Sequence, residues 1–197
     1  MNPNSLSAPS SDDLGELFPM LARSAFSFLY ELGFVEMASS SSLLLLRKNE
    51  IDVDIYHGRR SCELGAGVSN KGARFSISEI TAVVDPAAAE KYSVRSGRTR
   101  NEVENGLNEL GDLLRLHGDR ALSGDHEFFS LLERQRVHWA ENFEGDVLAR
   151  QIRPKAEEAF RLGDYSKAAE LYGRIKNRLS AMEEKKRSLA ELRAKRS

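Results

Sequence analysis

Cysteine is almost missing from this chain. Cys62 stands alone, so no intramolecular disulfide can form and the sequence suits a reducing compartment. Long apolar runs are missing as well: the leucines at 43–46 fall far short of the about 20 apolar residues that a membrane helix needs. The N-terminal residues are polar, rich in Ser, Pro and Asn, with neither a basic start nor an apolar stretch of signal-peptide length. A cytoplasmic protein is expected, with residues 1–12 disordered and no membrane partner. A dominant charge is missing too, since 29 basic against 30 acidic residues leave −1. Residues 1–92 carry 8 basic and 12 acidic groups and residues 93–197 carry 21 and 18, neither the strong field of a dedicated DNA binder. Metal spacing is also absent. His57, His117, His126 and His138 are scattered without an HExxH arrangement, and with one cysteine they form no zinc set, so no metal or cofactor is expected.

What remains is an ordinary globular composition, 41% hydrophobic over 197 residues, enough for a core without staples. Leu14, Leu17, Phe18, Leu21, Ala25, Phe28, Leu29 and Leu32 recur at three- and four-residue steps and predict an amphipathic helix over 13–32 closed by Gly33, its firm part beginning at Pro19. The period then changes to two. Ile51, Val53 and Ile55 alternate with Asp52 and Asp54, and Cys62, Leu64, Ala66 and Val68 repeat every second residue. With residues 43–47 before them and Phe75 and Ile77 after them, they predict a three- or four-stranded antiparallel meander whose apolar face the first helix covers.

From Thr99 onward the pattern is helical. Thr99 with Glu102 and Ser180 with Glu183 read as capping boxes, Asp125 reads as an N-cap, and Pro154 should kink or divide the long segment that follows Asp125. The fold class is therefore α+β: an N-terminal helix and antiparallel sheet over residues 13–92, then an all-helical half over 93–197.

Within that half, residues 156–172 read AEEAFRLGDYSKAAELY. Gly163 and Asp164 make a tight turn, small Ala168 admits a close partner helix, and Tyr165 and Tyr172 fill the groove beside it. The segment resembles the loop and second helix of a tetratricopeptide repeat, and the hairpin so implied spans residues 147–177. Ile152 replaces the usual aromatic of the first helix. One unit cannot build the concave groove of a repeat array, so a single hairpin packed on its neighbours is expected. The whole-chain pattern, with DVDIYHGRRSCEL followed by RLHGDRALSGDHEFFSLL, is similar to small uncharacterised bacterial proteins, some of them of immunity type.

The sharpest chemical hint is Asp52-Val53-Asp54. Alternate residues on a strand share a face, which places the two carboxylates roughly 7 Å apart, within reach of one divalent ion. This strand resembles the metal strand of polymerase-beta-type nucleotidyltransferases, although Ser39–Ser42 stands where that family has its Gly-Ser pair and a strand-like run follows where its helix begins. The simpler reading is a solvent face on a one-sided sheet. His57 and Cys62 could meet across a hairpin as a thiol–imidazole pair, but Cys62 in phase with Leu64 reads as an inert buried thiol. The glycines at 65, 67 and 72 lack the lysine and hydroxyl register of a phosphate loop. Arg120 and His126 have the spacing of helical ribonuclease motifs, with a turn-and-cap signal between them.

Two basic clusters stand apart: Arg95, Arg98 and Arg100, and a C-terminal tail whose residues 183–197 sum to +3. The tail offers weak RNA binding, without aromatic residues to stack on bases. No nucleophile is joined to its base and no phosphate loop is complete, so a non-catalytic interaction protein of adaptor, inhibitor or immunity type is expected. The nucleotidyltransferase reading is the alternative. The surface expected to bind a protein partner is the polar sheet face, Asp52, Asp54 and Tyr56 with Arg59, Arg60 and Glu63.

Overall fold

The computed structural model describes residues 11–195. The disordered stretch expected at 1–12 falls for the most part outside the described residues. Two compact units divide the chain, Met1–Arg134 and Gln135–Ser197.

The first unit is one antiparallel sheet with helices on its apolar face. α1 (Ser11–Ala25) buries Leu14, Phe18, Leu21 and Ala22, the one-face spacing of an amphipathic helix. The sequence periodicity continues to Leu32, but the helix breaks at Phe26 and resumes as the short α2 (Ser27–Glu31). Pro19 lies inside α1 and not at its start. The sheet order is β1 (Val35–Ser40), β2 (Leu43–Lys48), β3 (Ile51–His57), β4 (Glu63–Asn70) and β5 (Ala73–Ser76). Helices α3 (Ile77–Val84) and α4 (Pro86–Glu90) follow, and then β6 (Arg95–Ser96) pairs with the start of β4.

The meander is longer than the alternation predicts. β1 has all six residues exposed, so its sequence carries no inside–outside period to read. At the other end Ile77 is not strand: Ser76 accepts from the Glu79 N–H while the Glu79 carboxylate accepts from the Ser76 N–H, and this capping box turns the chain into α3 directly after β5.

α5 (Arg100–His117) lies on the sheet's apolar face, where Val103, Leu107, Leu110 and Leu114 join Leu44, Leu46, Val53, Ile55, Leu64 and Val68 in one core. Fully burying each such side chain contributes about 1.5–3 kcal/mol. Gly111 marks a close helix approach, because a Cβ there would stand 2.6 Å from the Ala25 carbonyl oxygen. α6 (Asp119–Leu122) and the beginning of α7 (His126–Arg161), with Phe128, Phe129 and Leu132, bury into the same core. The compact division accordingly falls at 134/135 and not at 92/93, where the strand pattern gives way to the helical one.

The second unit comprises the remainder of α7, α8 (Tyr165–Arg174), a 3-10 turn (Lys176–Arg178) and α9 (Ala181–Ala194). α7 continues through Pro154 without ending there. Gly163, at φ +79°, makes the turn into α8, and the Asp164 carboxylate accepts from the Lys167 N–H. The core is rich in alanine: Ala149, Ala156, Ala159, Ala168 and Ala190 surround Ile152, Leu171, Tyr172 and Ile175. Among the described residues no helix is long and apolar enough to cross a membrane.

Candidate functional site

The open face of the sheet follows from the strand register. Arg47 stands opposite Asp52, Leu45 opposite Asp54 and Leu43 opposite Tyr56. On the other side Asp54 faces Gly67 and Tyr56 faces Gly65. Because side chains alternate, these residues share the face turned away from buried Leu44, Leu46, Val53 and Ile55.

Each aspartate is held by an arginine. Arg47 donates from Nε and Nη2 to the two oxygens of Asp52, at 2.5 and 2.7 Å, and this pairing holds the Asp52 carboxyl below its ordinary range against the opposing effect of burial. Arg74, from β5, reaches across β4 to bond Asp54 at 2.8 and 2.7 Å. The crossing depends on Gly67, where a Cβ would stand 2.6 Å from the guanidinium carbon. The Tyr56 ring lies over Gly65 in the same way, with a Cβ there 2.4 Å from Cζ. The two glycines thus form a notch in the strand that lets long side chains lie flat across it.

The notch assembles a strip. The Arg74 guanidinium sits 5.7 Å from the Tyr56 ring centre, a cation–π distance. The Tyr56 hydroxyl donates to Glu63 Oε1 at 2.8 Å, and burial, with that carboxylate as acceptor, pushes the phenol up to about 12. Beyond Glu63, burial raises the phenol of Tyr92, whose ring lies 5.7 Å from the Arg95 guanidinium.

The six residues singled out in the sequence therefore separate. Asp54, Tyr56 and Glu63 join one network through Arg74, whereas Asp52 belongs to a second pair with Arg47. Arg59 lies in the turn before β4 and donates to Ser41 Oγ at 2.6 Å, and Arg60 is exposed beside it. Sequence reasoning missed Arg74, Gly65 and Gly67 as parts of this site. Their signal was the i, i+2 spacing of two glycines opposite Tyr56 and Asp54, which only a strand register turns into a notch.

Other candidates resolve locally. Cys62 is not in strand phase with Leu64: it occupies the turn before β4 at φ +55° and is only part-buried. His57 Nε2 lies 2.9 Å from the Gly97 carbonyl oxygen, its ring stacked at 6.0 Å on Phe18. Arg120 pairs with Asp125, the N-cap whose carboxylate also accepts from the Phe128 N–H. In the basic tail Lys186 bonds Glu157, Arg187 bonds Glu184 and Glu191, and Arg193 bonds the Tyr165 hydroxyl. Arg196 and Ser197 lie outside the described residues.

Among the described residues no group of three or more His, Cys, Asp or Glu side chains is placed to hold a metal ion. Asp52 and Asp54 each already accept a pair of arginine hydrogen bonds, with which a cation would compete. A comparison of the chain with protein-family models, with curated proteins and with solved structures finds no match.

Proposed function

We propose that the protein is a non-catalytic interaction module of the cytoplasm, of adaptor, inhibitor or immunity type, that binds a protein partner through the open face of its sheet. The observation that carries this reading is the notch strip, in which Gly65 and Gly67 let Tyr56 and Arg74 lie fixed across β4. Tyrosine and arginine are the residue types that most often anchor interfaces. Side chains already held by Glu63 and Asp54 lose little rotamer freedom on docking, which favours affinity. Beside the strip Leu43 is exposed and Leu45 half-buried, supplying apolar area next to the polar anchors.

In the nucleotidyltransferase alternative an ion would compete with two arginine pairs for the same carboxylates. The tail reading for RNA draws on lysines and arginines of which several are already paired with carboxylates.

Capture of a partner from the native cell, repeated with Leu43→Glu and with Arg60→Glu, tests the proposal. Both side chains are exposed, so the fold should persist. One partner retained by the wild type and lost with Leu43→Glu is the expected result. A partner that ignores both substitutions would refute the sheet-face reading.

A further inference from the structure

The charged groups on and around the open face pair off, with one carboxylate left over. Asp52 is held by Arg47 and Asp54 by Arg74. Beside the start of β4, Arg95 pairs through Nε with Glu109 of α5 and donates from Nη1 to the Ser93 carbonyl oxygen at 2.8 Å. In the turn before β4, Arg59 is taken up by Ser41 Oγ, and Arg60 points to solvent. Glu63 is the exception. It is the first residue of β4, its side chain is half-buried, and among the described residues it pairs with no lysine, arginine or histidine.

What surrounds Glu63 is aromatic. Leu64 is buried in the core, so Glu63 before it shares the open face with Gly65. Tyr56 stands opposite Gly65, and because that glycine has no Cβ the ring leans across β4 until its hydroxyl donates to Glu63 Oε1 at 2.8 Å. Tyr92, half-buried in the loop before β6, feels the same carboxylate: burial raises its phenol, Arg95 acts to lower it, and the charge on Glu63 acts to raise it. Both phenols therefore stay neutral, and Tyr56 gives Glu63 a hydrogen bond without cancelling its charge. A carboxylate offers roughly four acceptor positions, and the Tyr56 hydroxyl is the side-chain donor that reaches this one among the described residues. A partly desolvated carboxylate without a countercharge is unfavourable by itself, and neighbouring aromatic rings add to its attraction for a cation.

We propose that Glu63, with the rings of Tyr56 and Tyr92, receives a lysine or arginine side chain of the protein partner. The inference rests on the sheet-face reading and adds the chemistry of what docks there. Charge selects the occupant. The strip of Asp54, Arg74, Tyr56 and Glu63 carries one net negative charge, located at Glu63, because Arg74 cancels Asp54. An acidic residue is repelled from that point, a neutral one leaves the carboxylate without its countercharge, and a basic one supplies it. The carboxylate is held in place by Tyr56 before the partner arrives, so little side-chain freedom is lost when the pair forms. A basic side chain is also delivered by its own protein, whose neighbouring contacts fall on Leu43, the β2 residue opposite Tyr56. A free small cation has no such support.

The test needs no identified partner. The full chain is titrated with N-acetyl-arginine amide, with N-acetyl-lysine amide and, at equal ionic strength, with the neutral N-acetyl-glutamine amide, while NMR follows the Tyr56 and Tyr92 rings and the β4 amides. Wild type, Glu63→Gln and Glu50→Gln are compared. Glu63→Gln keeps an oxygen for the Tyr56 hydroxyl, so the fold should persist, and Glu50→Gln removes the same charge from the exposed β2–β3 turn. The expected result is saturable shifts centred on Tyr56, Tyr92 and Glu63 with the two cationic probes only, about tenfold weaker in Glu63→Gln and unchanged in Glu50→Gln. Shifts shared by the neutral probe, shifts that survive Glu63→Gln or fall equally with Glu50→Gln, or no saturation below about 0.1 M overturn the inference. Partner capture separates it from the reading beneath it. A partner lost with Leu43→Glu but indifferent to Glu63→Gln keeps the sheet face and overturns the basic anchor, whereas one that ignores both overturns both.

Discussion

The two compact units are held together by different means. In Met1–Arg134 the core is built from large side chains, with Phe18, Phe26, Phe75 and Phe128 fully buried among leucines, isoleucines and valines from three strands, β2 to β4, and several helices. In Gln135–Ser197 five of the nine buried core residues are alanines. The second unit gains close helix approach but little apolar area. It depends correspondingly more on polar bonds, such as Lys186 and the Tyr172 hydroxyl on Glu157 and Arg153 on Glu183. Small units bury a smaller fraction of their surface and are marginal for that reason. Large apolar side chains make a core tolerant, and small ones make it conditional.

The sharpest way to break this comparison is to remove one aromatic from each core. Phe75→Ala and Tyr172→Ala should each cost about 3–5 kcal/mol. The first unit should stay folded with a lowered urea midpoint. The second should unfold in buffer, seen as a loss of helical circular dichroism and a shift in the emission of Trp139, the chain's single tryptophan. Equal behaviour of the two variants would remove the distinction between the units.

Overpacking comes next. Ala168 is fully buried in the alanine-rich core, and Ala168→Leu should destabilise the second unit by about 1–3 kcal/mol while leaving the first unchanged. Denaturant curves recorded by Trp139 emission should move, and the sheet signal should not.

Acid sharpens the contrast further. Hydrogen bonds from Lys186, joined by the Tyr172 hydroxyl, outweigh burial and hold Glu157 below its ordinary 4.5. Burial acts to raise Glu183, but the Ser180 backbone and hydroxyl together with Arg153 bring it below 4.5 as well. A carboxylate whose folded value is lowered stabilises the fold fully above its unfolded value, and that stability is lost as pH falls through the folded one. The second unit should therefore weaken as pH drops below 4.5, and Glu157→Gln should flatten that part of the profile. The same depression acts on Glu36, Asp52, Glu102 and Asp125 in the first unit, whose larger core leaves it more stability to lose. Thermal melts across the acid range read both effects.

The smallest effect belongs to the notch. Gly67→Ala pushes the Arg74 guanidinium off β4, a flexible group that can move, so the expected cost is only about 1 kcal/mol. Partner binding should suffer far more than stability, and a full loss of folding would show the notch to be structural.

How much of this was legible depends on where the information resides. Caps are local: Thr99 with Glu102, Asp125, and Ser180 with Glu183 stand in the fold as the spacing predicts. Alternation is local too, and it placed β3 and β4, with β2 read from the apolar run that precedes them. β1 was invisible because an edge strand exposed along its whole length has no period. α3 was missed because strand-like Phe75 and Ile77 surround a capping residue, Ser76. The pairing of Asp54 with Arg74 spans twenty residues and three strands, and it exists only once the register has put Gly67 between them.

The proposed function turns on the two aspartates of β3, both held by arginines, and predicts that this face coordinates no cation. Calorimetric titration of the full chain with Mg²⁺ and a nucleoside triphosphate tests it most directly. The account predicts no heat of binding beyond dilution. Saturable heat that Asp52→Ala or Asp54→Ala abolishes would contradict it.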